Sequence, residues 1–427
     1  MNDPAVLAQR ALRERMATAL REGVIAAVDL GDSKTVCVIA RVDLGQLAMG
    51  ATGRDADAYS ALKVIGVGVT EAAGMRNGVV IDAKAASRTI HVAVSLAQEQ
   101  AKTEVKGAIF SVGGGLPRSL TTRAETSIPT TEVDDATIAR LMTSCRPELA
   151  PRLRRPILVE PTNFVVDGNS GIRDPRGAPA RTLAMDIAIL TLERSALQAV
   201  VQAAVMSRLS VDGVISSSVA SAVTCLTNDE LELGAVCIDM GAVMTSFASF
   251  QRGQFRRADV VPLGGERITA DLAQAMECDR DEAEALKVRA GGPVSADPSV
   301  LGGTGSAEMS TVLVGVVRPR LEETFEMIRT RLEGEELRPV VLTGGGSQLP
   351  GVVEVARAVL GRRARLGKSL RVPGASSDVS GPEFSTSLGM LAYAVKSDRN
   401  MWVDAMEIVG NSERRFTGVF DWLRRNW

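Results

Sequence analysis

The feature that most constrains this chain is a strand-turn-strand device that occurs twice. The apolar run Val24-Ile25-Ala26-Ala27-Val28 leads into Asp29, Gly31 and a polar turn ending at Lys34, and a second apolar run, Thr35 to Ala40, follows. Far down the chain Ala235-Val236-Cys237-Ile238 leads into Asp239 and Gly241, then Thr245 to Phe250 and a turn at Arg252-Gly253. Each copy predicts a β-hairpin. Together they predict two lobes of one design that face each other, and a chain of 427 residues has room for them, since domains cluster near 100 to 200 residues.

The turns carry chemistry as well as shape. A turn with Asp, Gly and small hydroxylated residues presents several backbone N–H groups in a nest suited to phosphate, and its carboxylate suits a hydrated magnesium ion. One Asp-x-Gly between strands is an ordinary hairpin. Two of them with a third loop narrow the reading. That loop is Pro339 to Gly351, a buried-type strand that ends in Gly344, Gly345 and Gly346 before an expected helix. Three glycines allow a flat ring to lie against the backbone.

Composition removes other classes of function. The chain is 45% hydrophobic and 23% charged, as a folded soluble protein is. A formal net charge of -2 supplies no basic field for nucleic acid, which is not an expected partner. Cys37, Cys145, Cys225, Cys237 and Cys278 form no C-x-x-C pair and His91 is the sole histidine, so neither a Cys/His zinc site nor a His-based triad is expected. His91 falls in a predicted helix and is assigned a structural role. Residues 1–22 alternate charge with short apolar stretches and do not suit a secretory signal. Leu12, Met16 and Leu20 beside Arg10, Arg13 and Arg15 allow a second, weak amphipathic helix, but a solvated lead-in is the expectation. With no apolar run of about 18 residues, and unpaired cysteines, the expectation is a cytoplasmic protein with no spanning helix.

Between Gly107 and Leu183, β-branched residues, a helix expected over Glu132–Ser144 and a loop expected over Asp167–Gly171 predict an inserted subdomain. Residues 291–309, rich in Gly, Ser and Pro, predict a surface loop in the second lobe.

The Asp29–Lys34 turn, the Asp239–Thr245 turn and the Gly344–Gly346 loop resemble the phosphate-1, phosphate-2 and adenosine motifs of the actin, Hsp70 and sugar-kinase superfamily. Within it, Gly78-Val79-Val80-Ile81-Asp82, Val165–Gly168 with Gly171–Gly177, Gly264–Thr269 and Glu282–Lys287 resemble the FtsA family of bacterial cell-division proteins, over about residues 23–396 and again in the last dozen. The resemblance implies an α/β, actin-like (ribonuclease H-like) two-lobed fold with inserted subdomains 1C and 2B. By analogy 1A covers 23–106 and 184–212, 1C (SHS2-like) 107–183, 2A 213–254 and 326–381, and 2B 255–325. Residues 382–400, with a helix expected over Ser385–Val395, return to 1A, 401–415 form a linker, and 416–427 form a membrane-targeting helix.

The same resemblance implies ATP and Mg2+ in the cleft. Gly31, Ser33 and Lys34 match phosphate-1, where Ser and backbone N–H groups hold phosphate and Lys neutralises it, and Asp32 in the same turn is counted with the nucleotide site. Asp239, Gly241 and Thr245 match phosphate-2, with Ala242 of the same turn counted with the nucleotide site, and Asp29 and Asp239 would hold magnesium through water. Gly344, Gly345 and Gly346 match the adenosine loop, and Glu284 and Lys287 match residues flanking ribose and base. No residue is assigned to catalysis, and ATP hydrolysis is expected to be weak or absent. Arg320, after Pro319 and beside Glu322 and Glu323, matches the groove that receives the C-terminal peptide of FtsZ. Head-to-tail filaments, later division proteins on 1C, and a peripheral location on the cytoplasmic face of the inner membrane at the division site are also implied. This sequence departs from the family at Asp32, an extra negative charge near phosphate, and at Ala242, Val243 and Met244, where Gly, Gly and Thr are usual. Left-handed geometry at Ala242 or Val243 would cost about 1 kcal/mol or more each.

On a helix, Phe416, Val419, Phe420, Leu423 and Trp427 fall within an arc of about 100°, with Trp422 at one edge and Arg424 and Arg425 on other sides. Such a face places aromatic rings at the acyl boundary and guanidinium groups among anionic headgroups, at about 1 kcal/mol per basic residue. Pattern alone equally allows a helix docked on the protein's own core. Two other readings stay open on this fold: an ATP-dependent small-molecule kinase of the sugar or acetate type, in which Asp29 would act as base, and a pilus-assembly adaptor.

Overall fold

The computed structural model describes residues 23–43, 45, 61–128, 132–144, 153–172, 174–290, 306–334, 338–368, 372–375 and 379–396. The N-terminal extension, the linker and the tail with its membrane residues lie outside them, as does Cys145.

The chain opens with an antiparallel meander, β1 (Val24–Leu30), β2 (Lys34–Val42) and β3 (Leu62–Glu71). A two-rung hairpin, β4 (Met75–Arg76) and β5 (Val79–Val80), leads to helix α1 (Ala83–Ala101), which Asp82 caps by accepting from Ala85 N at 2.9 Å. His91 is exposed on this helix, outside the buried stripe of Ile90, Ala93, Val94 and Ala97. Strand β6 (Gly107–Val112) then pairs parallel with β1.

An inserted antiparallel sheet follows: β7 (Arg118–Ser127), helix α2 (Asp135–Ser144), β8 (Arg154–Val166), β9 (Asn169–Ile172) and β10 (Thr182–Glu193), in the order β7-β10-β8-β9. The expected boundary of 107–183 moves at both ends. β6 belongs to the first lobe's sheet, and β10 stays in the inserted sheet as far as Glu193. Composition shows where strands lie, but only pairing shows whose sheet they join. The loop expected over Asp167–Gly171 is shorter than it looked: Asp167 (φ 48°) and Gly168 (φ 85°) make a two-residue mirror turn, and Val166 already pairs with Asn169.

The chain returns through helix α3 (Arg194–Met206) and β11 (Ser210–Ser216), which completes the first sheet, β11-β6-β1-β2-β3. Helices α4 (Ser217–Cys225) and α5 (Asn228–Leu233) lead into the second lobe, which starts with β12 (Ala235–Met240), β13 (Thr245–Gln251) and β14 (Gln254–Val261). Helices α6 (Gly265–Met276), α7 (Arg280–Ala290) and α8 (Ser306–Arg331) come next, so residues 306–309 of the expected surface loop open a helix and 291–305 lie outside the described residues. β14 pairs with β13 in the lobe's sheet, and α8 continues through the buried Phe325 to Arg331, which moves both ends of the region expected over 255–325. Strand β15 (Val340–Thr343), a 3-10 turn over Gly345–Gln348, helix α9 (Val352–Leu360), β16 (Ala364–Leu366) and helix α10 (Ser385–Lys396) complete the described chain.

The second sheet has the order β14-β13-β12-β15-β16, with β12 antiparallel to β13 and parallel to β15. β1 stands in the same relation to β2 and β6, so the two sheets repeat one topology. Helices α4 and α10 cross between them in close contact: a Cβ on Gly389 would stand 1.9 Å from Ala220 O. Apolar side chains from both helices, among them Val219, Ala222, Leu388 and Leu391, join one buried cluster with residues of both sheets.

Candidate functional site

The two turns share one backbone frame. Gly31 N donates to Lys34 O at 3.1 Å and Gly241 N donates to Met244 O at 2.9 Å. A Cβ on Gly31 would stand 2.8 Å from Lys34 O, and a Cβ on Gly241 2.8 Å from Met244 O. Neither glycine has a positive φ, so both are needed for close approach rather than for handedness. The strain expected at Ala242 and Val243 is absent for the same reason: neither takes a positive φ, and the turn closes in geometry that any residue adopts.

Asp29 and Asp239 occupy matching places near the ends of β1 and β12. Ser111 Oγ donates to Asp29 Oδ1 at 2.6 Å, and Ser387 Oγ reaches Asp29 Oδ2 at 3.4 Å. Ser221 Oγ donates to Asp239 Oδ2 at 2.5 Å, and Thr386 Oγ1 donates to the same oxygen at 3.2 Å. Neighbouring residues of α10 therefore hold the two carboxylates, one from each lobe. Burial pushes Asp29 up to about 6 against the hydrogen bond from Ser111, and the charge of Asp239 adds to the rise. Burial raises Asp239 too, against its bonds from Ser221 and Thr386. Two carboxylates held up in this way by burial are a natural place for a hydrated cation, which would lower both.

Around this pair the turns differ. Asp32 does not stand free: both its oxygens accept from Gly78 N, at 2.8 and 3.1 Å. Ser33 is exposed, and Lys34 lies over the Phe384 ring, 3.9 Å from its centre. In the second turn Thr245 is buried and donates to Leu263 O at 2.7 Å. Gly265 N and Glu266 N, at the start of α6, donate to Gly241 O at 3.0 Å and Ala242 O at 2.7 Å. Gly264 makes that approach possible, because a Cβ there would stand 2.4 Å from Ala242 O.

The three glycines after β15 have separate tasks. Gly344 (φ 82°) packs on Asp239 and Met240, and Gly346 packs on Met240, whereas Gly345 is exposed and a Cβ there would meet only Glu383 Cβ, at 3.9 Å. Lys287 Nζ donates to Glu284 at 2.6 Å, to Thr269 Oγ1 at 2.8 Å and to Gly265 O at 3.1 Å, which ties this pair to the helix that closes the second turn. Burial acts to raise Glu284, but the bonds from Lys287 and Thr269 outweigh it and hold the carboxyl below its ordinary value.

Arg320 is elsewhere, on α8, where it pairs with Asp271 and, at 2.6 Å, with Glu323. With Gly315, Val316 and Pro319 these residues line a concavity of about 270 Å³. The two turns are thus linked through α10, the glycine loop packs on Asp239, and the α7 pair bonds to Gly265 beside the second turn, whereas Arg320 is separate. Sequence reasoning missed Ser111, Ser221, Thr386 and Ser387, the hydroxyls that hold the carboxylates. The run Ser385-Thr386-Ser387 at the head of a largely apolar helix was a signal for Thr386 and Ser387 alone.

No helix among the described residues is long and apolar enough to cross a membrane. The family model described as cell division protein FtsA matches residues 236–389, and that of the SHS2 domain inserted in FtsA matches residues 114–191. The chain is 33% identical to the cell division protein FtsA of Rhizobium meliloti over 95% of this chain and 96% of that one. It is 29% identical to that of Pseudomonas aeruginosa, over 93% and 95%. Among solved structures, the PilM-PilN type IV pilus biogenesis complex shares the fold at a TM-score of 0.59 and 15% identity, covering 87% of this chain and 98% of that one. With its repeated sheets, its inserted SHS2 sheet and this likeness along nearly its whole length, the chain belongs to the FtsA family of actin-like cell division proteins.

Proposed function

We propose that this protein is an ATP-binding adaptor that holds an FtsZ ring to the cytoplasmic face of the membrane and associates head to tail with its own copies. The observation that carries the nucleotide part is that two equivalent turns, one in each lobe, each carry a half-buried carboxylate, and that neighbouring residues of α10 bond to both. Exposed Ser33 and the backbone of both turns would take phosphates, Asp29 and Asp239 a hydrated Mg2+, exposed Gly345 the adenine, and Glu284 with Lys287 the ribose side. Arg320 and its concavity would receive the FtsZ peptide, and the inserted sheet later division proteins. The tail from Phe416 to Trp427 would supply the membrane anchor through its aromatic face and Arg424 and Arg425.

The test is co-sedimentation with phosphatidylglycerol vesicles of the full chain beside a version ending at Asn411. Pelleting of the full chain alone supports the adaptor. If both stay in solution, the membrane role fails, and screening for phosphoryl transfer to small hydroxylated substrates becomes the next experiment.

A further inference from the structure

Strand β14 is an edge of the second sheet, and an edge presents unpaired N–H and C=O groups. Here the inserted sheet takes them. Ser119 Oγ, on β7, accepts from Ala258 N at 2.9 Å and donates to Ala258 O at 3.0 Å, so one hydroxyl satisfies both outward groups of that residue. Phe255 N donates to the Glu160 carboxyl of β8 at 3.0 Å, and the Gln254 side chain donates through Nε2 to Pro161 O at 3.3 Å. Yet the inserted sheet leaves the chain after β6 and returns into α3, both parts of the first lobe.

Glu160 also reaches the crossing helix. Its charge acts on Tyr393 of α10, and burial pushes its own carboxyl up to about 7 against the bond from Phe255. Apolar packing follows the same route: Leu158, Ala188 and Leu190 of the insertion share one buried cluster with Phe255 and Ala258 of β14 and Leu391 of α10.

We propose that the inserted sheet is a clasp that fastens the second lobe's edge strand to the first lobe, so that the cleft between Asp29 and Asp239 opens only when the insertion leaves β14. The nucleotide part of its test rests on the reading of that cleft given above. In the full chain carrying Cys145→Ser and Cys278→Ser, Ser119→Cys with Ala258→Cys forms a reducible cross-link between clasp and edge. The oxidised form should release a fluorescent ATP analogue at least fivefold more slowly than the reduced form, and the β14 amides should exchange hydrogen at least fivefold more slowly. Glu160→Ala with Ser119→Ala should shift both rates the other way. Equal rates in oxidised and reduced protein would overturn the clasp. If the parent chain binds no nucleotide, the functional reading fails instead, and β14 exchange alone decides the clasp.

Discussion

The Asp29–Lys34 and Asp239–Thr245 turns have one backbone and two chemistries. Each closes on the same glycine-to-carbonyl bond and each leaves the same 2.8 Å gap where a Cβ would stand. The first fills its tip with Asp32, Ser33 and Lys34, tied to Gly78 and Phe384 through side chains. The second fills it with Ala242, Val243 and Met244 and is held through its carbonyls by the first N–H groups of α6. The frame is what the two share, and the tip residues are free to differ because no positive φ is required of them.

The largest expected effect tests the carboxylates. Asp29 keeps its proton to a higher pH in the folded protein than in the unfolded chain, so its burial costs stability as pH rises from about 4 through about 6, and the full cost is present above that. Asp29→Asn should therefore stabilise the nucleotide-free protein by about 1–3 kcal/mol at pH 8, with the gain fading below pH 6. Calorimetry across pH checks this, and Mg-dependent nucleotide affinity should fall at least tenfold. Next come Gly31→Ala and Gly241→Ala. Each forces a Cβ against a backbone carbonyl and should cost about 1–3 kcal/mol in urea unfolding. Unequal costs would break the equivalence of the two frames.

Smaller effects sharpen the difference between the tips. Val243→Gly should relieve no strain, because Val243 has no positive φ, and should cost about 0.5–1 kcal/mol through backbone entropy. A gain in stability would show that the turn is strained after all. Ser33→Ala should change stability by less than about 0.5 kcal/mol, because the residue is exposed, while lowering affinity for a fluorescent ATP analogue severalfold. Unchanged affinity would remove Ser33 from the phosphate site.

Much of this was legible in the residues. Continuous apolar runs before Asp29 and Asp239 placed both hairpins, and the glycines at 31 and 241 marked both turns, because strand pairing and close backbone approach leave local traces. The turn at Asp167-Gly168 was placed but drawn too long, since an Asn-Ser pair after it also suits a loop. Ser111 and Ser221 were not legible, and Thr386 and Ser387 showed only as a polar run: a hydroxyl that bonds a distant carboxylate looks like any other hydroxyl.

By itself the sequence determined the two hairpins, their glycines and the loop after β15, each of which depends on residues near one another in the chain, and their order along the chain pointed to the family. Only the tertiary structure decided that β6 joins the first sheet, that Asp32 turns to Gly78, that α10 holds a carboxylate from each lobe and that the insertion seals β14. Those choices rest on contacts between residues far apart in sequence, whose free energy exists only once the lobes have met.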